Sequence, residues 1–161
     1  MLFRSVTFVP FLVGERVPNM PNARGTLTGL GANGLDAGVL YRAALEGVAM
    51  NLASGLDRMR GLGLDVAEVR LVGGAARNAL WAEILAACFG AAVRPMAETE
   101  TAALGAAMQA AAAARGVDPG TLPRSGGEGE AVTASPALAE AYAALRPRFA
   151  AEVEAAGHRR E

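Results

Sequence analysis

Val69-Arg70-Leu71-Val72-Gly73-Gly74-Ala75-Ala76-Arg77-Asn78-Ala79-Leu80-Trp81 runs from strand-forming aliphatics through two glycines into helix-forming sequence. Without Cβ atoms at Gly73 and Gly74, the backbone can come close to a flat ring or a phosphate. The free N–H groups and positive dipole end of the helix after the turn favour an anion. Asn78, in the first turn, offers both a hydrogen-bond donor and an acceptor toward the same space. In open α/β sheets, ligands collect at the carboxyl ends of strands, where this turn lies. On the two glycines alone, a tight strand-to-helix turn without a ligand is the plainer reading. A dinucleotide fingerprint is excluded, because its third glycine is missing at the required spacing.

The same alternation extends in both directions. After the turn the spacing predicts a helix over Arg77–Phe89, with Leu80, Ile84, Leu85 and Cys88 inward, then a strand over Ala91–Pro95. An Ala-rich helix runs from Thr101 to Arg115, closed by Gly116. Before the turn, Asp36 is an N-cap for a long helix from Ala37 to Arg60. Leu40, Ala44, Val48, Leu52, Leu56 and Met59 mark one apolar face of it. Gly47 and Gly55 each cost that helix about 1 kcal/mol relative to Ala, which predicts close approach by a neighbouring backbone. Upstream lie a strand within Val6–Leu12, a long polar loop over Gly14–Gly25, and a second strand over Thr26–Leu30. Strands alternating with helices predict an α/β layer with helices packed on a sheet. Val117–Thr133, rich in Gly, Pro, Ser and Glu, reads as an exposed linker. An amphipathic helix from about Pro136 to Val153 returns with Leu138, Tyr142, Leu145 and Phe149.

Composition narrows the chemistry. The 161 residues carry 15 basic and 16 acidic side chains, for a net charge of −1, and every basic residue is Arg. The length suits one domain. Without Lys, neither the lysine-bearing P-loop nor Schiff-base catalysis is available. A single Cys (Cys88) and a single His (His158) exclude a disulfide framework and a four-ligand zinc site. A net charge near zero argues against a nucleic-acid binder. Val6–Val13 is too short to span a bilayer and has no cleavage site, so no membrane partner is expected and the setting is cytoplasmic.

Four blocks, in order, resemble the C-terminal domain of the FGGY carbohydrate kinases. They are Phe8–Pro18 with Ala23-Arg24-Gly25, Arg42-Ala43-Ala44-Leu45-Glu46-Gly47-Val48-Ala49, Leu71–Trp81, and Glu100–Ala107. The resemblance implies a ribonuclease H-like (actin-like ATPase) domain, three-layer α/β/α and incomplete. It places the partial domain over residues 1–116, a linker over 117–135, and a C-terminal helix over 136–156 packing back on the same domain. It further implies that Gly73, Gly74 and Ala75 approach a nucleotide and that Asn78 fills the family's Asn/Ser position beside it. ATP and Mg²⁺ are the implied cofactors, with no metal ligand in this chain. Glu46 and Glu100, within family helix motifs, are expected to cap or pair. Arg16 and Arg24 are expected to order their loop, with Glu15 as a partner.

Two departures limit the resemblance. Glu83 and Ala87 stand where the family carries Gln and Asp, and the family's N-terminal half, with its phosphate loop and catalytic Asp, is absent. The aspartates present (Asp36, Asp57, Asp65 and Asp118) read as caps, helix surface or loop. The expectation is therefore the ATP-side portion of a kinase that phosphorylates a sugar or polyol hydroxyl, xylulose-like, with no catalytic residue and no activity in isolation. The alternative is a non-catalytic nucleotide-binding or assembly module. In either case an exposed interdomain surface is expected to favour homo-oligomers, and a sugar is bound only together with the missing half.

Overall fold

The computed structural model describes residues 6–32, 35–97, 100–123 and 127–158. Two short strands open the fold, β1 (Thr7–Val9) and β2 (Thr26–Thr28), paired antiparallel with Phe8 opposite Leu27. Between them the loop closes on itself through reciprocal backbone bonds between Glu15 and Met20, at 3.0 and 2.9 Å. Helix α1 (Ala37–Gly61) starts where Asp36 accepts from the backbone N–H groups of Gly38 and Val39. A parallel pair comes next, β3 (Glu68–Leu71) and β4 (Ala92–Pro95), joined by helix α2 (Ala79–Phe89). Helix α3 (Thr101–Arg115) and helix α4 (Pro136–His158) complete the chain.

The core lies among β1, α1, α2 and α4. Val9, Phe11, Ile84, Leu85, Val93 and Tyr142 are its largest fully enclosed side chains. Helix α2 is buried on nearly every side, from Trp81 to Phe89 apart from Glu83. A buried polar cluster fastens α4 to α1. Tyr142 donates its hydroxyl to Glu46 at 2.7 Å, and Arg42 donates to Glu46 at 2.8 Å and to Tyr142 at 3.1 Å. Burial, with the Glu46 carboxylate as neighbour, raises the Tyr142 phenol well above its ordinary range and keeps it a proton donor. Glu46 is thus a structural carboxylate, satisfied in place.

The expected helix faces need one correction. On α1, Leu56 of the expected face is buried, but Val48, Leu52 and Met59 are 37, 49 and 46% exposed, whereas Val39, Ala43, Glu46, Gly47, Met50 and Ala53 are buried. The helix is apolar on both sides, and among the described residues β1, α2 and α4 cover only the second. Gly47 meets its expectation, since a Cβ there would collide with the Phe8 carbonyl of β1. Gly55 does not. It lies on the uncovered side, and a Cβ there would meet nothing within 4 Å.

The sheets are likewise partly covered. Val69 and Leu71 of β3 and Val93 of β4 pack into the core beside α2. Residues of alternate parity on the opposite side pair as Arg94–Glu68 (2.8 Å) and Arg70–Glu128 (3.1 Å). The far edge of β4 is bordered by the stretch expected as an exposed linker, where Val132 exchanges backbone hydrogen bonds with Val93 at 2.8 and 2.9 Å. On the described residues the β1–β2 and β3–β4 pairs are separate sheets.

Candidate functional site

Strand β3 delivers the chain to Gly73, whose φ of 80° and ψ of −174° lie in a region open essentially to glycine alone. The next four residues, Gly74–Arg77, make a single 3₁₀ turn, with Ala76 N–H bonded to Gly73 O and Asn78 N–H to Ala75 O, both at 3.1 Å. Helix α2 therefore begins at Ala79, two residues after the expected Arg77. The reason is the cap. Asn78 stays extended (φ −97°, ψ 103°) so that its Oδ1 can accept from Trp81 N–H at 3.1 Å.

The structure brings Gly73, Gly74, Ala75 and Asn78 onto one turn, but Asn78 is less free than its position suggests. Its Oδ1 caps α2, and its Nδ2 donates to the Tyr41 hydroxyl of α1 at 2.8 Å. One N–H and one lone pair of the amide remain for a ligand. Tyr41 is the residue the sequence does not disclose. It stands 37 positions away, and only tertiary packing of α1 beside α2 puts it at the turn.

The two glycines differ in cause. Gly73 is required by its backbone angles. Gly74 lies outside the positive-φ region, and a Cβ on it would meet nothing within 4 Å. Nothing within the described chain calls for glycine at 74.

The other candidates resolve into structural roles. Glu15 accepts from the backbone N–H groups of Arg16 (2.6 Å) and Val17 (3.1 Å) and from the Asn51 amide (3.1 Å). The Val17 N–H leads in holding its carboxyl below the ordinary range. Arg24 donates to the carbonyls of Asn22 and Ala23 within the same loop. Glu100 stands at the N-cap position of α3, but its side chain makes no capping hydrogen bond there. Asp36 caps α1, Asp118 caps a short 3₁₀ turn, and Asp57 pairs with Arg146 at 2.7 Å and Arg60 at 3.5 Å. Asp65 is exposed in a loop. Among the described residues no three His, Cys, Asp or Glu side chains converge as a metal site. Burial pushes the Cys88 thiol up to about 12, and it is no nucleophile.

A family model for the FGGY family of carbohydrate kinases, C-terminal domain, matches residues 3–114. The chain belongs to the FGGY family. Among its curated relatives, the xylulose kinase of Haemophilus influenzae is 38% identical over 105 residues, which is 65% of this chain and 21% of that protein. The xylulose kinase of Streptomyces rubiginosus is 39% identical over 120 residues, 74% of this chain and 25% of that protein. The crystal structure of a Brucella ovis xylulose kinase superposes with a TM-score of 0.81 at 33% identity, covering 94% of this chain and 31% of that one. The chain thus spans about a fifth to a quarter of the length of these two curated relatives. The fold is that of the actin-like ATPases, as an incomplete domain. A hydrogen bond from Asn78 ties the Gly73 turn to Tyr41, the residue just before the Arg42–Ala49 block of α1.

Proposed function

We propose that these residues form the ATP-side portion of a carbohydrate kinase that moves the γ-phosphate of ATP to a sugar or polyol hydroxyl, with a xylulose-like acceptor. The observation that carries this reading is the match of residues 3–114 to the FGGY family, within which Gly73 and Gly74 open the turn between β3 and α2. The xylulose kinases among the relatives support the acceptor class. ATP supplies the transferable phosphoryl group. The chain's part is to bind and orient: Gly73, Gly74 and Ala75 present backbone to the nucleotide, and the Asn78 amide adds its remaining N–H and lone pair. No step is assigned to a metal ligand of this chain.

Phosphoryl transfer needs a group to take the acceptor proton and a grip on the γ-phosphate. The aspartates at 36, 57 and 118 are held as caps or ion pairs, and Asp65 is exposed in a loop. The 161 residues alone are therefore predicted to bind ADP without phosphorylating sugar. In a coupled assay with ATP, Mg²⁺ and xylulose the expected rate equals the blank, while ADP raises the melting temperature. Turnover above the blank contradicts the division of labour. A cytoplasmic location accompanies this reading, because ATP is a co-substrate. No described helix is long and apolar enough to cross a membrane.

A second reading, an assembly module, is favoured by one observation. The outer side of α1 and the loop after it expose Val48, Leu52, Met59, Leu62 and Leu64. Isolated chains are expected to pair through this strip, giving a dimer mass by light scattering. Clean monomer at high concentration contradicts it.

A further inference from the structure

We infer that Tyr41 is the positioning and base-recognition residue of the Gly73 turn: its hydroxyl sets the Asn78 amide, and its exposed ring offers the surface on which a purine base stacks. The inference rests on the nucleotide reading of the turn and goes beyond it, to a residue outside the turn and to the part of the ligand recognised.

Three observations converge. First, Tyr41 is 53% exposed while Val39 and Ala43, its neighbours on α1, are buried. Core packing therefore does not account for an aromatic ring at this position. Second, its hydroxyl accepts from Asn78 Nδ2 at 2.8 Å rather than facing solvent alone. With Oδ1 committed to Trp81 N–H, this bond fixes which way the amide points, and with it the direction of the N–H that is left over. A Phe at 41 keeps the ring and loses that control. Third, the turn that Asn78 closes opens on two glycines. Gly73 and Gly74 have no side chains, and positions where their Cβ atoms would stand have no neighbour within 4 Å. A half-exposed aromatic ring tied by a hydrogen bond to a turn that opens on two glycines suits a planar heteroaromatic ring, and such stacking tolerates any base because every base has a π face.

The test uses the 161-residue chain, calorimetric titration with ADP, and the emission of 2-aminopurine riboside diphosphate at saturating protein. In the wild type the aminopurine is expected to be quenched on binding. Tyr41→Ala is expected to weaken ADP about tenfold or more and to abolish the quench even at saturation. Tyr41→Trp and Tyr41→Phe are both expected to keep the quench with a loss of about two- to fivefold in affinity, the low end expected for one hydrogen bond, because neither ring carries an acceptor hydroxyl. A quench that survives in Tyr41→Ala, or an ADP affinity unchanged within about twofold, overturns the role of Tyr41 while leaving the nucleotide site standing. Absence of ADP binding by the wild type overturns both.

Discussion

Gly47 and Gly55 are eight residues apart on one helix, and identical in sequence terms, yet the structure gives them opposite meanings. At Gly47 the Phe8 carbonyl of β1 occupies the place of a Cβ; at Gly55 there is open space. Gly47→Ala should force α1 and β1 apart and cost about 1–3 kcal/mol. Gly55→Ala should raise stability by about 0.5–1 kcal/mol through helix propensity alone. Urea denaturation of the two variants checks both signs, and a stabilised Gly47→Ala contradicts the contact. At the same scale, Glu46→Gln leaves Arg42 and the buried Tyr142 hydroxyl with a weaker acceptor. A loss of about 1–3 kcal/mol is expected, read as a lower urea midpoint at unchanged slope. No loss means that the cluster does not hold α4 to α1. These residue roles are only partly legible in the sequence. A carboxylate four places after an Arg on a helix announces a pair, but Tyr142, which completes it, lies about a hundred positions away.

Among the elements, β3, the glycine turn and α2 are legible almost to the residue, because strand formers, glycines and a capping Asn signal locally. The two-residue shift at the start of α2 comes from the extended backbone that the Asn78 cap demands. Periodicity points to the wrong face over most of α1, Leu56 excepted, for a physical reason. Residues at i and i+4 are apolar along both sides of this helix, so spacing cannot choose between Leu40-Ala44-Val48-Leu52 and Val39-Ala43-Gly47. Only the covering elements decide. Coverage also separates the helices by stability. Within α2 eight residues are buried, while in the fifteen-residue α3 only Ala112 is. Hydrogen exchange should therefore find α2 amides among the most protected and α3 amides exchanging far sooner, by local opening. Equal protection in the two helices contradicts the weak docking of α3.

For the molecule as a whole, the outer side of α1, most of α3, and the ion-paired face of the parallel β3–β4 pair stay uncovered among the described residues. Parallel strands are ordinarily covered on both faces, and this chain spans about a fifth to a quarter of its curated relatives' length. The four ordered motifs make the family legible in the sequence by itself. Tyr41 at the site is not legible there, because its place depends on how α1 and α2 pack. The central claim is that the Gly73–Asn78 turn holds a nucleotide, and Gly74 gives it the cleanest test, since no contact or backbone angle within the chain requires glycine there. The decisive measurement is calorimetric titration of ADP into the wild type and Gly74→Leu, with their thermal unfolding recorded alongside. The account predicts saturable binding by the wild type and none by Gly74→Leu at a melting temperature within about 3 °C, a shift worth less than about 1 kcal/mol. Equal binding by both proteins, or none by the wild type, contradicts it.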